Sequence, residues 1–151
     1  MPMKLIVKSP KETRELGHFL LNKVHIVGKQ DALVVALEGE LGAGKTTFVK
    51  GLAKILGIKA KIKSPTFTLI KKYKLGKNSK LKSKKYLYHI DCYRLKDHKD
   101  MLVLGMKDML KDKDNLILIE WPERIRKILP KKHIKIKIDH IDKNTRKISI
   151  N

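Results

Sequence analysis

Gly39-Glu40-Leu41-Gly42-Ala43-Gly44-Lys45-Thr46 satisfies every fixed position of G-x-x-x-x-G-K-[ST], and Thr47 follows it. Residues of these types at this spacing can hold a phosphate chain. The glycines let backbone N–H groups curl inward, and a helix that starts there aims its positive end at the same point. Lys45 can reach the β- and γ-phosphates, and the Thr46 hydroxyl is placed to ligate Mg²⁺ beside them.

Further residues could act on a bound triphosphate. Asn115-Leu116-Ile117-Leu118-Ile119-Glu120 is an apolar run ending in an acid. A buried strand that delivers a carboxylate beside a phosphate loop is the Walker B arrangement, normally with Asp and here with Glu, so Glu120 could hold Mg²⁺ directly or through water. The plainer alternative is a surface strand end. Tyr86-Leu87-Tyr88-His89-Ile90-Asp91 also ends in a carboxylate, at the strand end where ligands bind in open α/β sheets. Asp91 is the first candidate to orient an attacking water, against a simple cap or turn aspartate. In Ser64-Pro65-Thr66-Phe67 the proline disfavours helix, so Thr66 is presented from an extended or turning segment. Its hydroxyl could sense a γ-phosphate or simply open a strand. His89 on its own reads as structural, and Trp121 as a core or lid residue.

These side chains need an α/β framework to position them. Leu33-Val34-Val35-Ala36-Leu37 reads as the strand that feeds the loop, and Phe48, Val49, Leu52, Ala53 and Leu56 share one face of the helix that leaves it. Gly57 should stop that helix. Earlier, Leu5-Ile6-Val7 reads as a strand; Ser9, Pro10 and Glu12 mark a capped helix start, and Gly28 a loop. Later, helical spacing runs from Asp97 to Leu110 with an interruption at Gly105. A short helix from Glu123 to Leu129 stops at Pro130. His133 to Asp139 alternates strictly, and Arg146 to Ile150 returns as its hairpin partner. The expected fold is a three-layer α/β arrangement in the P-loop NTPase manner, with a mainly parallel central sheet and a peripheral antiparallel C-terminal hairpin.

At 151 residues the chain is most simply one domain, 1–151. Its 36 Lys plus Arg against 15 Asp plus Glu give a formal net charge of +21, a field that attracts polyanions. Only five of the basic residues are arginine, the better residue for bidentate phosphate recognition, so a solvated lysine coat competes with a nucleic-acid surface. Eight lysines fall between Lys71 and Lys85, in what reads as a hairpin tip or mobile loop flanked by Tyr73, Tyr86 and Tyr88. Basic charge with aromatics could hold single-stranded RNA, although these tyrosines alternate as strand residues do. Cys92 is the only cysteine, which excludes an intramolecular disulfide or a cysteine-based zinc site. No apolar run approaches a membrane span, and a cytoplasmic protein is expected.

The phosphate loop is shared by many NTPases, but Ser64-Pro65-Thr66-Phe67, His89-Ile90-Asp91-Cys92-Tyr93-Arg94-Leu95 and Ile119-Glu120-Trp121-Pro122-Glu123 follow it in order. In that combination the chain resembles the TsaE family, also called YjeE. The resemblance implies a bacterial ATPase needed for the threonylcarbamoyl modification of adenosine 37 in tRNAs that read codons beginning with A. It would work with TsaD and TsaB and use ATP hydrolysis to reset their complex, meeting tRNA through that complex. Carried over by motif, Gly42, Ala43, Gly44, Lys45, Thr46 and Thr47 bind the phosphates of ATP or ADP, and Thr46 and Glu120 hold Mg²⁺. Asp91 lies in a switch segment, with Thr66 as its helper, while Thr13 lies near the base and Arg146 near the nucleotide. The lysine load departs from the family pattern. Two rival readings remain: a small P-loop kinase, for which five arginines leave little lid material, and a basic RNA-binding module regulated by nucleotide.

Overall fold

The computed structural model describes residues 3–24, 30–40, 42–63, 65 and 69–151. The expectations placed on Gly28, Leu41, Ser64, Thr66 and Phe67 lie outside the described residues. In chain order the elements are β1 (Met3–Val7), α1 (Pro10–Glu15), α2 (Gly17–Val24), β2 (Leu33–Glu38), α3 (Lys45–Ile55), β3 (Ile70–Lys74) and β4 (Tyr86–Asp91). They continue with α4 (Lys99–Val103), α5 (Met106–Lys111), β5 (Asn115–Glu120), a 3-10 turn (Pro122–Ile125), β6 (Ile134–His140) and β7 (Arg146–Ile150).

All seven strands join one sheet in the order β1-β7-β6-β2-β5-β4-β3. The pairs β6–β2, β2–β5 and β5–β4 are parallel, while β1, β7 and β3 close the two edges antiparallel. The apolar runs of β2 and β5 take the centre because a strand covered on both faces can expose nothing polar to water. Every residue of β5 is buried. The antiparallel C-terminal hairpin lies to one side of the sheet, as expected, and its strand β6 pairs with β2 and so extends the parallel part.

Side chains alternate across the sheet and divide the core in two. Leu33, Val35, Leu37, Leu87, Leu116 and Leu118 pack towards α1, α2 and α3, meeting Leu16, Leu20, Phe48 and Leu52. Val34, Ile90, Ile117 and Ile119 pack the other way, against Met101, Met106, Met109 and Ile125. The result is the expected three layers. No helix among the described residues is long and apolar enough to cross a membrane.

Local chemistry sets the helix ends. Ser9 caps α1 by accepting from the Glu12 N–H, and the Glu12 carboxylate reaches back to the Lys8 N–H at 2.6 Å, closing the box one residue earlier than the motif requires. Gly57 ends α3 with φ +65, its N–H donating to the Lys54 carbonyl and that of Ile58 to Ala53. The pattern from Asp97 to Leu110 becomes two short helices, because Gly105 turns left-handed at φ +90 between them. The segment after Trp121 forms a single 3-10 turn, shorter than the spacing to Leu129 suggests.

The lysine-rich stretch is a packed connection. Leu75, Ser79, Leu81 and Lys84 are buried, and the N–H groups of Gly76 and Lys80 donate to the carbonyls of Leu56 and Ile55 at the end of α3. Tyr73 belongs to the core, and its hydroxyl accepts from the Lys63 N–H.

Close backbone approach fastens α1 to α3. A Cβ on Gly51 would lie 2.2 Å from the Arg14 carbonyl oxygen and 2.5 Å from its Cα. Gly51→Ala should gain about 1 kcal/mol of helix propensity but lose about 1–3 kcal/mol to overpacking against rigid backbone. A net loss is expected in urea unfolding, and a more stable variant would contradict the close contact.

Candidate active site

The start of α3 is left open for an anion. Its cap, Gly44, is left-handed at φ +103 and offers no side-chain acceptor, and the first turn carries no acidic residue. The first intrahelical bond here runs from the Phe48 N–H to the Gly44 carbonyl, so the preceding N–H groups have no partner within the helix. Gly42, at φ +80, also takes a conformation that favours glycine. Ala43 is buried, Gly44 and Thr47 are half-buried, and Gly42 and Thr46 are exposed.

Lys45 differs from the other lysines. It is 6% exposed, and its Nζ has no hydrogen-bond partner among the described residues. The ammonium lies 4.0 Å from the centroid of the Trp121 ring, within cation–π range. Burial holds its pKa below the ordinary lysine value, while the carboxylates of Glu120, Asp91 and Glu123 act in the opposite direction. A buried cation with donors to spare fits a phosphate chain.

The carboxylates reach this point through register. Asp91 and Glu120 are paired neighbours at the ends of β4 and β5, and alternation turns both to the α3 side with Leu87, Leu116 and Leu118. His89, two residues before Asp91, shares that face. Its Nε2 donates to Glu120 Oε2 at 2.7 Å, both side chains being buried, so the imidazole orients the carboxylate. Asp91 Oδ1 accepts from the Tyr93 N–H at 2.9 Å. Directly after Glu120 the chain turns left-handed at Trp121, φ +56, placing the indole on Lys45 and 4.9 Å from the Tyr93 ring.

Thr13 and Arg146, distant in sequence, flank the phosphate loop. The Thr13 methyl lies 3.9 Å, and Arg146 Nε 4.0 Å, from where a Cβ on Gly44 would stand. Thr13 Oγ1 donates to the Ser9 carbonyl. Arg146 Nε donates to the Ala43 carbonyl at 3.0 Å and Nη1 to the Asp142 carbonyl at 2.7 Å, so this side chain ties the loop to the C-terminal hairpin. Thr66 lies outside the described residues. The sequence reading missed the His89–Glu120 hydrogen bond and the Lys45–Trp121 contact; the i, i+2 spacing of His89 and Asp91 was the available signal for the first. Beside Gly39, Trp121 and Ile138 opens a cleft of about 600 Å³.

The family described as "Threonylcarbamoyl adenosine biosynthesis protein TsaE" matches residues 7–148. The chain belongs to the TsaE family. It is 37% identical over 123 residues to the "tRNA threonylcarbamoyladenosine biosynthesis protein TsaE" of Haemophilus influenzae, covering 82% of this chain and 71% of that one. The Bacillus subtilis protein of the same name is 36% identical over 141 residues, covering 93% and 80%. The crystal structure of Bacillus subtilis YdiB superposes with a TM-score of 0.74 at 31% identity, covering 99% of this chain and 84% of that one. This TsaE chain is thus of the P-loop NTPase type, a nucleotide-binding protein.

Trp121 is the only tryptophan. Lys45→Met should therefore shift its emission even without nucleotide, and an unchanged spectrum would mean that ammonium and ring do not meet in solution. Burial, with Asp91 adding to it, pushes the Cys92 thiol up to about 12 from 9.0. At pH 8 the folded protein should resist alkylation and react only after denaturation, as thiol counting against time will show.

Proposed function

We propose that this protein hydrolyses ATP with Mg²⁺ as a step in threonylcarbamoyladenosine synthesis on tRNA. The observation that carries the proposal is the buried Lys45 ammonium, without a hydrogen-bond partner among the described residues, at the open start of α3. The names of the relatives, each a tRNA threonylcarbamoyladenosine biosynthesis protein, supply the pathway. The modified position would be adenosine 37 of tRNAs reading codons that begin with A, and the partners TsaD and TsaB. We take residues 1–151 as one P-loop domain, since all seven strands share a sheet.

In this reading the amides of Gly42 to Thr47 hold the phosphates, and Lys45 leaves Trp121 to meet the β- and γ-oxygens. Thr46 and Glu120 would hold Mg²⁺, which neutralises charge on those oxygens. His89 keeps Glu120 in one orientation for that task. Asp91 orients the attacking water, with Thr66 assisting; Thr13 lies near the base and Arg146 steadies the loop against the nucleotide. Arg94 is read as bracing its own loop, so a partner supplies or orders what the isolated chain lacks, and the cleft beside Trp121 gives it access.

Hydrolysis should be slow for the protein alone and faster with TsaB and TsaD, measured as phosphate release with Lys45→Ala as control. Equal rates would remove the gating idea. Glu120→Gln should keep nucleotide binding within a few-fold but lower turnover by about 10²–10³, the usual cost of removing one positioned electrostatic group. If calorimetry shows no Mg²⁺-dependent uptake of ATP or ADP by folded protein, the proposal falls.

A further inference from the structure

The lysines between Lys71 and Lys85 are not equivalent. Lys72 lies over the Tyr86 ring at 4.2 Å, Lys85 pairs with Asp114 at 3.7 Å, and buried Lys84 donates to the carbonyls of Asp31 and Lys113. Lys74, Lys77 and Lys80 instead line two clefts along the C-terminal half of α3, whose nearest lining residue on that helix, Gly51, is about 9 Å of helix from Lys45. In one cleft, of about 570 Å³, Lys80 faces Lys11, Arg14 and Lys54, with Glu15 the single acid among the described residues. In the next, of about 670 Å³, Lys74 and Lys77 face Lys59, and no acid among the described residues lines it.

Asn78 borders both clefts, so they adjoin and follow one another as a track along the surface. Beside each, backbone meets backbone in close contact. A Cβ on Gly76 would lie 2.2 Å from the Gly57 carbonyl oxygen, and one on Gly51 would lie 2.2 Å from that of Arg14. Glycines therefore bring α1, the end of α3 and the lysine-rich connection near enough to line one groove with cations from all three. Among the described residues, no salt bridge engages these seven side chains.

We infer that this track binds the phosphodiester backbone of RNA, as a second site separate from the nucleotide site. A row of lysines along a concave groove suits a chain of phosphates, where each cation releases a condensed counterion and little base identity is read. A lipid surface would favour a flat basic face with apolar side chains at its rim. The choice of RNA among polyanions rests on the proposed place in tRNA modification; the track itself does not.

The test is anisotropy of a labelled, unmodified tRNA transcript without nucleotide, titrated with the full chain between about 50 and 200 mM salt. K54Q/K77Q/K80Q should weaken binding at least about tenfold and make the slope of log affinity against log salt shallower by about 2–3. K107Q/K111Q/K127Q removes the same charge from the opposite face and should leave that slope unchanged. In the wild-type protein, tRNA should also shield Lys54, Lys77 and Lys80 from acetylation, a readout that needs no variant. Equal effects of the two triple variants, shielding confined to other lysines, or binding to phosphatidylglycerol vesicles in place of tRNA would each overturn the inference. Loss of tRNA binding with Mg-ATP uptake intact counts against this site alone. Loss of uptake with tRNA binding intact counts against the proposed ATPase alone.

Discussion

The register in which β5 lies between β2 and β4 sets Leu37, Glu120 and Asp91 level with one another. Everything at the site follows from that alignment. Three parallel strands end at one height, so the loop leaving β2 and the acids ending β4 and β5 emerge at the same edge of the sheet. Alternation then turns Asp91, Glu120 and His89 towards α3 and its uncapped first turn. A one-residue slip of β4 and β5 would turn both carboxylates into the opposite layer, towards Met101, Met106 and Ile125, and bring Ile90 and Ile119 to the α3 side. Such a slip is costly because it would bury Asp91, Glu120 and His89 among apolar side chains.

Electrostatics completes what register begins. Lys45 is withdrawn from water, and its charge is met by an aromatic face and nearby acids with no direct hydrogen bond among the described residues. The cation is thus held close to where a triphosphate would arrive, and its donors remain uncommitted. His89 constrains Glu120 from the other side, so one acid is oriented before any ligand enters. Arg146 adds a covalently remote brace, linking a loop carbonyl to the last hairpin of the chain.

Much of this was readable in the residues. The phosphate loop with its strand and helix, the acid-ended runs of β4 and β5, and the alternation of β6 all follow from local pattern, and local pattern is what a sequence displays. Strand order was not readable, because β2 sits between β5 and β6 through pairings remote along the chain. The same limit hid the His89–Glu120 bond, a diagonal contact between neighbouring strands, and the Lys45–Trp121 contact, made across the site. For the lysine-rich stretch composition left two readings open, a hairpin tip or a mobile loop. The first holds, since the stretch joins the antiparallel strands β3 and β4, and it is packed, with Leu75 and Leu81 buried and Gly76 in close contact with Gly57.

The left-handed backbone at Trp121 holds strain of about 1–3 kcal/mol that glycine would not feel. The indole there packs on the core beneath it and lies beside Tyr93 and Lys45, and truncating a packed tryptophan costs a similar amount or more. Conformation and side chain are therefore tied at one position: the twist that glycine would relieve is the twist that lays the ring over the ammonium, and neither can be altered alone.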